Sequence, residues 1–214
     1  MPAPPRDLRI CFVGDSYVAG VGDPSALGWV GRVVAAADAA GHPVTAYNLG
    51  VRGDTSAQVA DRLDAELRPR LVRGTDARAV LACGVNDTVA TADGIRLPAT
   101  VSVDALRRAV TTARCRTGDG GVLVVGPPAV GDEAQNRRLR ALDARFSRTC
   151  DELGVAYVAT FAATVGHDVW RHEVAIGDSY HPGALGYAAL AAVVAPSFLA
   201  WVSSTGDRAA PACG

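Results

Sequence analysis

The chain has 214 residues, 49% of them hydrophobic and 20% charged, with a formal net charge of −1. That length and balance fit one globular domain with a sizeable core, and the near-neutral charge gives nucleic acid or an anionic membrane surface no electrostatic footing. All 21 basic residues are arginine, which excludes lysine Schiff-base chemistry and a phosphate-loop lysine. The 5 cysteines stand at 11, 83, 115, 150 and 213 with no CxxC pair, so neither a disulfide framework nor a structural zinc site is expected. A reducing compartment fits better. The N-terminus lacks the apolar core of a signal peptide, and no stretch approaches the roughly 18 uninterrupted apolar residues of a membrane span. The expectation is a cytoplasmic protein without a membrane span, nucleic-acid partner or metal.

Residues 1–7 read as a disordered lead-in, 8–203 as one domain and 204–214 as a flexible tail. Leu8–Val13 is the first strand, and a Gly-rich loop runs over Tyr17–Leu27. Gly28–Ala40 forms a helix with Trp29, Val30, Val33, Val34 and Ala37 on one face. Val44–Val51 is the second strand. Asp54 or Thr55 caps a helix whose stripe is Val59, Leu63 and Leu67. Ala77–Cys83 reads as a continuous apolar third strand, followed by a long polar loop to Thr100. A helix near Ser102–Arg116 buries Val103, Leu106 and Val110. Gly121–Val125 is the fourth strand. The helix Ala134–Leu153 buries Leu139, Leu142, Phe146 and Cys150, and its arginines at 137, 138, 140, 145 and 148 read as a solvated face. Val155–Ala159 is the fifth strand. A loop over Thr160–Gly177 leads to a last apolar helix, Pro182–Val202, with His181 at its N-cap and a bend at Pro196. Strands that alternate with helices predict an α/β fold: a five-stranded parallel sheet covered on both faces.

The chemistry gathers at strand ends. In an open α/β sheet, ligands bind beyond the C-terminal ends of the strands. With the common order 2-1-3-4-5, Ser16, Gly53 and Asn86 lie just past three adjacent strands. A nucleophilic serine needs a base and donors for the oxyanion. The Ser16 and Gly53 N–H groups and the Asn86 side-chain amide supply three. The tetrapeptide Gly-Asp-Ser-Tyr occurs twice, at 14–17 and 177–180, and His181 follows the second copy. His181 is the base, and Asp178 accepts from its Nδ1 and fixes the tautomer. A loop of about twenty residues reaches across the sheet with ease.

The chain resembles the GDSL-type esterase/lipase family, the SGNH hydrolases. The resemblance rests on four blocks in order: Gly14-Asp15-Ser16-Tyr17, Gly53 in GVRGDTS, Gly84-Val85-Asn86-Asp87, and Asp178-Ser179-Tyr180-His181-Pro182. Tyr17 stands where the family pattern has leucine. The resemblance spans Leu8 to about Val202. It implies the flavodoxin-like three-layer α/β/α fold, a catalytic Ser16–His181–Asp178 triad and metal-free, cofactor-free hydrolysis of carboxylic or thioester bonds. It also favours Gly53 over its rival Gly50 as an oxyanion donor. The GxSxG elbow of α/β-hydrolases is not met, because Val18 replaces its second glycine.

The expected substrate is a small-molecule ester with a small or medium acyl group. A sugar O-deacetylase, a thioesterase and an acyltransferase are the alternatives on the same triad. A flavodoxin-like phosphate- or nucleotide-binding module is the non-enzyme reading, and it leaves Asp178 and His181 without a role. Tyr17, Trp170 and Tyr180 are candidates to line a substrate pocket. Asp15 and Asp87 read as loop braces. A metal site at His167, Asp168, His172 and Glu173 is not expected, since histidines five apart do not share a helix face.

Overall fold

The computed structural model describes residues 6–204. Most of the expected lead-in, residues 1–5, and of the expected tail, residues 205–214, lies outside them. The strands are β1 (Leu8–Gly14), β2 (Thr45–Gly50), β3 (Asp76–Ala82), the short β4 (Ala90–Thr91) and β5 (Gly94–Ile95), β6 (Val122–Val125) and β7 (Ala156–Val158). Five of them form one parallel sheet in the order β2-β1-β3-β6-β7, and β4 and β5 pair as a separate antiparallel hairpin. The helices are α1 (Ser16–Ala19), α2 (Gly28–Ala39), α3 (Ser56–Leu67), α4 (Ala99–Thr117), α5 (Glu133–Leu153), α6 (Phe161–Val165), α7 (Asp168–Ile176) and α8 (Ala184–Ser203).

Alternate strand residues face opposite layers. Ile10, Phe12, Val80 and Leu123 pack with Trp29 and Val33 of α2 and with Tyr187, Val194 and Phe198 of α8. Cys11, Val13, Leu81 and Val124 pack with α3, α4 and α5 through Val59, Leu63, Leu106 and Phe146. Burying such a side chain is worth roughly 1.5–3 kcal/mol, so the two layers hold the sheet between them. The register places Gly14, Gly50 and Ala82 in one row, so β2, β1 and β3 end level. A Cβ on Gly14 would sit 1.9 Å from the Ala82 carbonyl oxygen, so that close approach requires glycine.

Several expectations are corrected. The Gly-rich loop after β1 begins with a helical turn, α1, capped by Asp15. The stretch expected as a loop over 160–177 holds α6 and α7, and the loop before α4 contains the β4–β5 hairpin. Helix α8 starts at Ala184 with Gly183 as N-cap, so His181 lies outside the helix. Strand β2 is half-exposed rather than apolar throughout, because it forms the sheet edge. Strand β3 is interrupted by Arg78, which is fully buried. Its guanidinium donates to the carbonyls of Trp201, Val202 and Ser204 and lies 4.9 Å from the Trp201 ring centroid. A cation there satisfies orphan carbonyls at the negative end of α8. By length and composition α8 could cross a bilayer, but Tyr187, Leu190, Val194, Phe198 and Val202 are buried in the core. Cys11, Cys83 and Cys150 are buried free thiols, whereas Cys115 is disulfide-bonded, which the odd, scattered cysteines did not signal.

Asp23 fixes the start of α2. Its carboxylate accepts from the Ser25 amide and hydroxyl, the Gly28 amide and Arg32 Nη1, the last at 2.5 Å. Burial alone would raise this carboxyl, but the hydrogen bonds from Arg32, Ser25 and Gly28 outweigh it and hold it at about 2. The unfolded carboxyl titrates near 3.9, so this stabilisation is complete above about pH 4 and is lost as pH falls through about 2. Asp23→Asn should lower the unfolding free energy near neutral pH by on the order of 2 kcal/mol. In urea melts at about pH 7, 4 and 2.5, the gap to wild type should close toward the lowest pH.

Candidate active site

Strand β1 runs straight into Asp15 and Ser16. The Asp15 side chain accepts from the Tyr17 amide at 3.0 Å, which starts α1 and sets Ser16 at its first helical position. Ser16 Oγ lies 2.8 Å from His181 Nε2, and His181 Nδ1 lies 2.6 Å from Asp178 Oδ2. A carboxylate at Nδ1 requires the proton there, so Nε2 is left to accept from the serine hydroxyl. The loop that delivers the pair is tightly wound. Asp178 Oδ1 accepts from the amides of Tyr180 at 2.9 Å and His181 at 2.8 Å. Ser179 takes the left-handed φ of 67° that folds Asp178 back over His181, and its carbonyl accepts from Gly131 at 2.8 Å. Partial burial would raise the Asp178 carboxyl, but hydrogen bonds from the His181 amide and ring and the Tyr180 amide hold it at about 2. It is therefore ionised across the neutral range.

The other strand ends converge on the same place. Asn86 opens a 3-10 turn, Asn86–Thr88, just past β3. Its Nδ2 donates to the Asp54 carbonyl at 3.0 Å and lies 3.4 Å from Asp15 Oδ2. Asn86 is thus wedged between the neighbour of Gly53 and the neighbour of Ser16. Gly53 has φ of 82°, and a Cβ built on it would meet nothing within 4 Å, so its surroundings are open. The rival Gly50 spends its amide on Asn48 Oδ1 at 3.2 Å, whereas among the described residues the Ser16 and Gly53 amides have no acceptor. Asp87 braces the turn, accepting from the Ser56 amide at 2.8 Å and its hydroxyl at 2.5 Å. Asp15 is fully buried. Burial pushes its carboxyl up to about 7, and the nearby Asp87 and Asp54 charges add to that against the Tyr17 hydrogen bond.

Of the three aromatic candidates, two are buried and Tyr180 is half-buried. Tyr17 is 4% exposed and Trp170 1%. Their rings stack with centroids 6.2 Å apart, and Tyr17 lies 5.1 Å from the His181 ring. The Tyr17 hydroxyl donates to the Tyr180 carbonyl at 2.7 Å, Trp170 Nε1 to the Ala129 carbonyl at 2.9 Å, and the half-buried Tyr180 hydroxyl to Gln135 Oε1 at 3.2 Å. They form a wall beneath His181, built from α1, α7 and the histidine loop. An open groove of about 380 Å³ runs beside His181, lined by Gly22, Glu173, Ile176 and Gly183. His167 caps α7 and Glu173 accepts from the Gly186 amide at 2.6 Å. Sequence reasoning missed Gln135, whose amide donates to the Val85 carbonyl and Thr88 hydroxyl, both at 3.1 Å. It also missed Arg62. Neither belongs to a motif: Gln135 stands in the first turn of α5 and Arg62 in the middle of α3.

The fold is shared with solved structures of low sequence identity. A lipase/acylhydrolase from Enterococcus faecalis is 22% identical, covers 90% of this chain and 96% of its own, and superposes with a TM-score of 0.69. TesA is also 22% identical, with 90% and 99% covered and a TM-score of 0.73. A catalytic mutant of an acetylxylan esterase from Geobacillus stearothermophilus is 18% identical, with 96% and 99% covered and a TM-score of 0.71. No curated protein matches the chain. The sequence profile of the GDSL-like lipase/acylhydrolase family matches residues 12–189, from within β1 into α8. With four-fifths of its length inside that match, the chain belongs to the GDSL-like lipase/acylhydrolase family.

Proposed function

We propose that this protein is a serine hydrolase of carboxylic esters with a small or medium acyl group, acting through an acyl-enzyme on Ser16. One observation carries the reading: the unbroken chain from Ser16 Oγ through the His181 ring to Asp178, with steps of 2.8 and 2.6 Å. Ser16 Oγ attacks the acyl carbonyl while His181 Nε2 takes its proton. Ionised Asp178 stabilises the imidazolium and holds its orientation. The carbonyl oxygen becomes an oxyanion, received by the Ser16 and Gly53 N–H groups and the Asn86 amide. Collapse expels the alcohol, which takes the proton from His181. Water then repeats the sequence on the acyl-enzyme, releasing the acid and restoring Ser16. The open groove beside His181 has room for a leaving group. A thiol nucleophile has no support, since burial pushes the Cys11 and Cys150 thiols up to about 12.

Release of p-nitrophenol from p-nitrophenyl acetate tests the assignment. Ser16→Ala should cut kcat by at least about a thousandfold, while Ser179→Ala, in the second Gly-Asp-Ser-Tyr copy, should retain turnover. A rate for Ser16→Ala close to wild type sinks the acyl-enzyme reading. Asn86→Ala should lower kcat by about a hundred- to a thousandfold with little change in KM, the loss expected for one oxyanion donor. Tyr17→Phe keeps the ring and removes only the donor to the Tyr180 carbonyl. Steady-state kinetics should show kcat reduced by about three- to tenfold through a looser His181 loop, with KM unchanged.

A further inference from the structure

We propose that Arg62 is a positioning residue for the oxyanion donors, an inference that rests on the ester-hydrolase reading. Arg62 lies on α3, in none of the four motif blocks, and its side chain is 20% exposed. Its Nη2 donates to the Gly14 carbonyl at 2.8 Å and to the Leu49 carbonyl at 2.9 Å, and its Nε to Asp54 Oδ2 at 2.7 Å. Nη1 reaches Glu66 at 3.3 Å, which anchors the head group to its own helix.

Two of these partners, Gly14 and Asp54, stand within two residues of a donor. The Gly14 carbonyl belongs to the peptide that leads into Asp15 and Ser16. Leu49 is the second-last residue of β2, just before the turn in which the Asp54 amide donates to the Val51 carbonyl at 3.2 Å. Asp54 follows Gly53, and its own carbonyl is the acceptor for Asn86 Nδ2 at 3.0 Å. The Ser16 amide is two residues along the chain from a carbonyl that Arg62 holds, Gly53 directly precedes the Asp54 that Arg62 pairs with, and Asn86 donates to that same Asp54, so one guanidinium ties all three donors. A guanidinium is planar and its N–H directions are fixed, so it sets two carbonyls and a carboxylate in one mutual geometry. The strand ends alone tie β1 to the Gly53 turn through one bond, from the Val51 amide to the Gly14 carbonyl at 3.0 Å, and Arg62 adds the Leu49 carbonyl and the Asp54 carboxylate to that same point. Without Arg62, the Asp54 carboxylate, 11% exposed, would lose its cationic partner close to Asp15 and Asp87. The turn carrying Gly53 and the Asn86 acceptor would then relax away from Ser16.

The test is a double-mutant cycle on p-nitrophenyl acetate with Arg62→Gln, Arg62→Lys, Asn86→Ala and the paired variants. Arg62→Gln should lower kcat by about ten- to a hundredfold, the scale of an ångström-level misplacement, with KM within about twofold. On the Asn86→Ala background the same substitution should cost at least about fivefold less, because one donor it positions is already gone. Arg62→Lys keeps the charge for Asp54 but not the fork, so it should recover little. Equal losses on both backgrounds, an effect confined to KM, or full recovery by lysine overturns the proposal.

A second readout does not need turnover. The Asn86 side-chain amide resonances, identified by their disappearance in Asn86→Ala, should shift in Arg62→Gln, while amides at the opposite end of the sheet stay in place. Unmoved Asn86 resonances overturn the proposal. If Arg62→Gln fails to fold, Arg62→Lys carries the same comparison. If wild type does not hydrolyse the ester, the hydrolase reading falls, and the Asn86 resonances alone decide whether Arg62 positions the amide.

Discussion

Three parallel strands that stop at the same level impose the geometry of everything above them. Because Gly14, Gly50 and Ala82 share one row, the chain leaves β1, β2 and β3 on one line, about 4.8 Å apart from strand to strand. Whatever residues come next are neighbours, however far apart they are in sequence. Ser16, the Val51–Asp54 turn and Asn86 come next. The row depends on the absence of a side chain at Gly14, where the β3 backbone approaches too closely for a Cβ. It depends equally on packing from both layers, since neither α2 and α8 nor α3, α4 and α5 alone would bury both faces of the strands.

The fourth partner comes from elsewhere and has to be brought in. His181 follows β7, at the far edge of the sheet from β2, so the chain must cross the strand ends to reach Ser16. It does so over α6 and α7, with Trp170 and Val174 buried as anchors, and then turns sharply through Ser179. Tyr17 closes the circuit. Its hydroxyl ties the Ser16 turn to the backbone of the loop that carries His181, and its ring lies against both Trp170 and His181. Helix α5 contributes at a distance, since Gln135 touches both the Asn86 turn and Tyr180.

The sheet and the site residues were readable because their signals are local. Apolar runs ended by glycine marked the strands; Ser16, Gly53 and Asn86 stand in short blocks just past strand ends, and Asp178 and His181 in a block between α7 and α8. What could not be read depends on contacts distant in sequence. Helices α6 and α7 are too short to be stable alone, and form because Phe161, Trp170 and Val174 find a core to enter. Arg78 stands inside a strand read as continuously apolar, and only the end of α8, over a hundred residues later, explains its burial. Tyr17 and Trp170 looked like pocket walls because aromatic residues near a site often are. Their burial was decided by a stacking partner and by acceptors that no spacing rule announces.

The carboxyl of Asp15 is buried between the amide of Tyr17 and the side chain of Asn86, two groups beside the proposed oxyanion donors. An ionised group there would repel the nascent oxyanion across a water-poor interior, where screening is weak. Its displacement to about 7 means that, in mildly acidic surroundings, this neighbour of Ser16 is largely uncharged. The second residue of the Gly-Asp-Ser block thus holds the Tyr17 amide with a carboxyl whose charge its own burial disfavours.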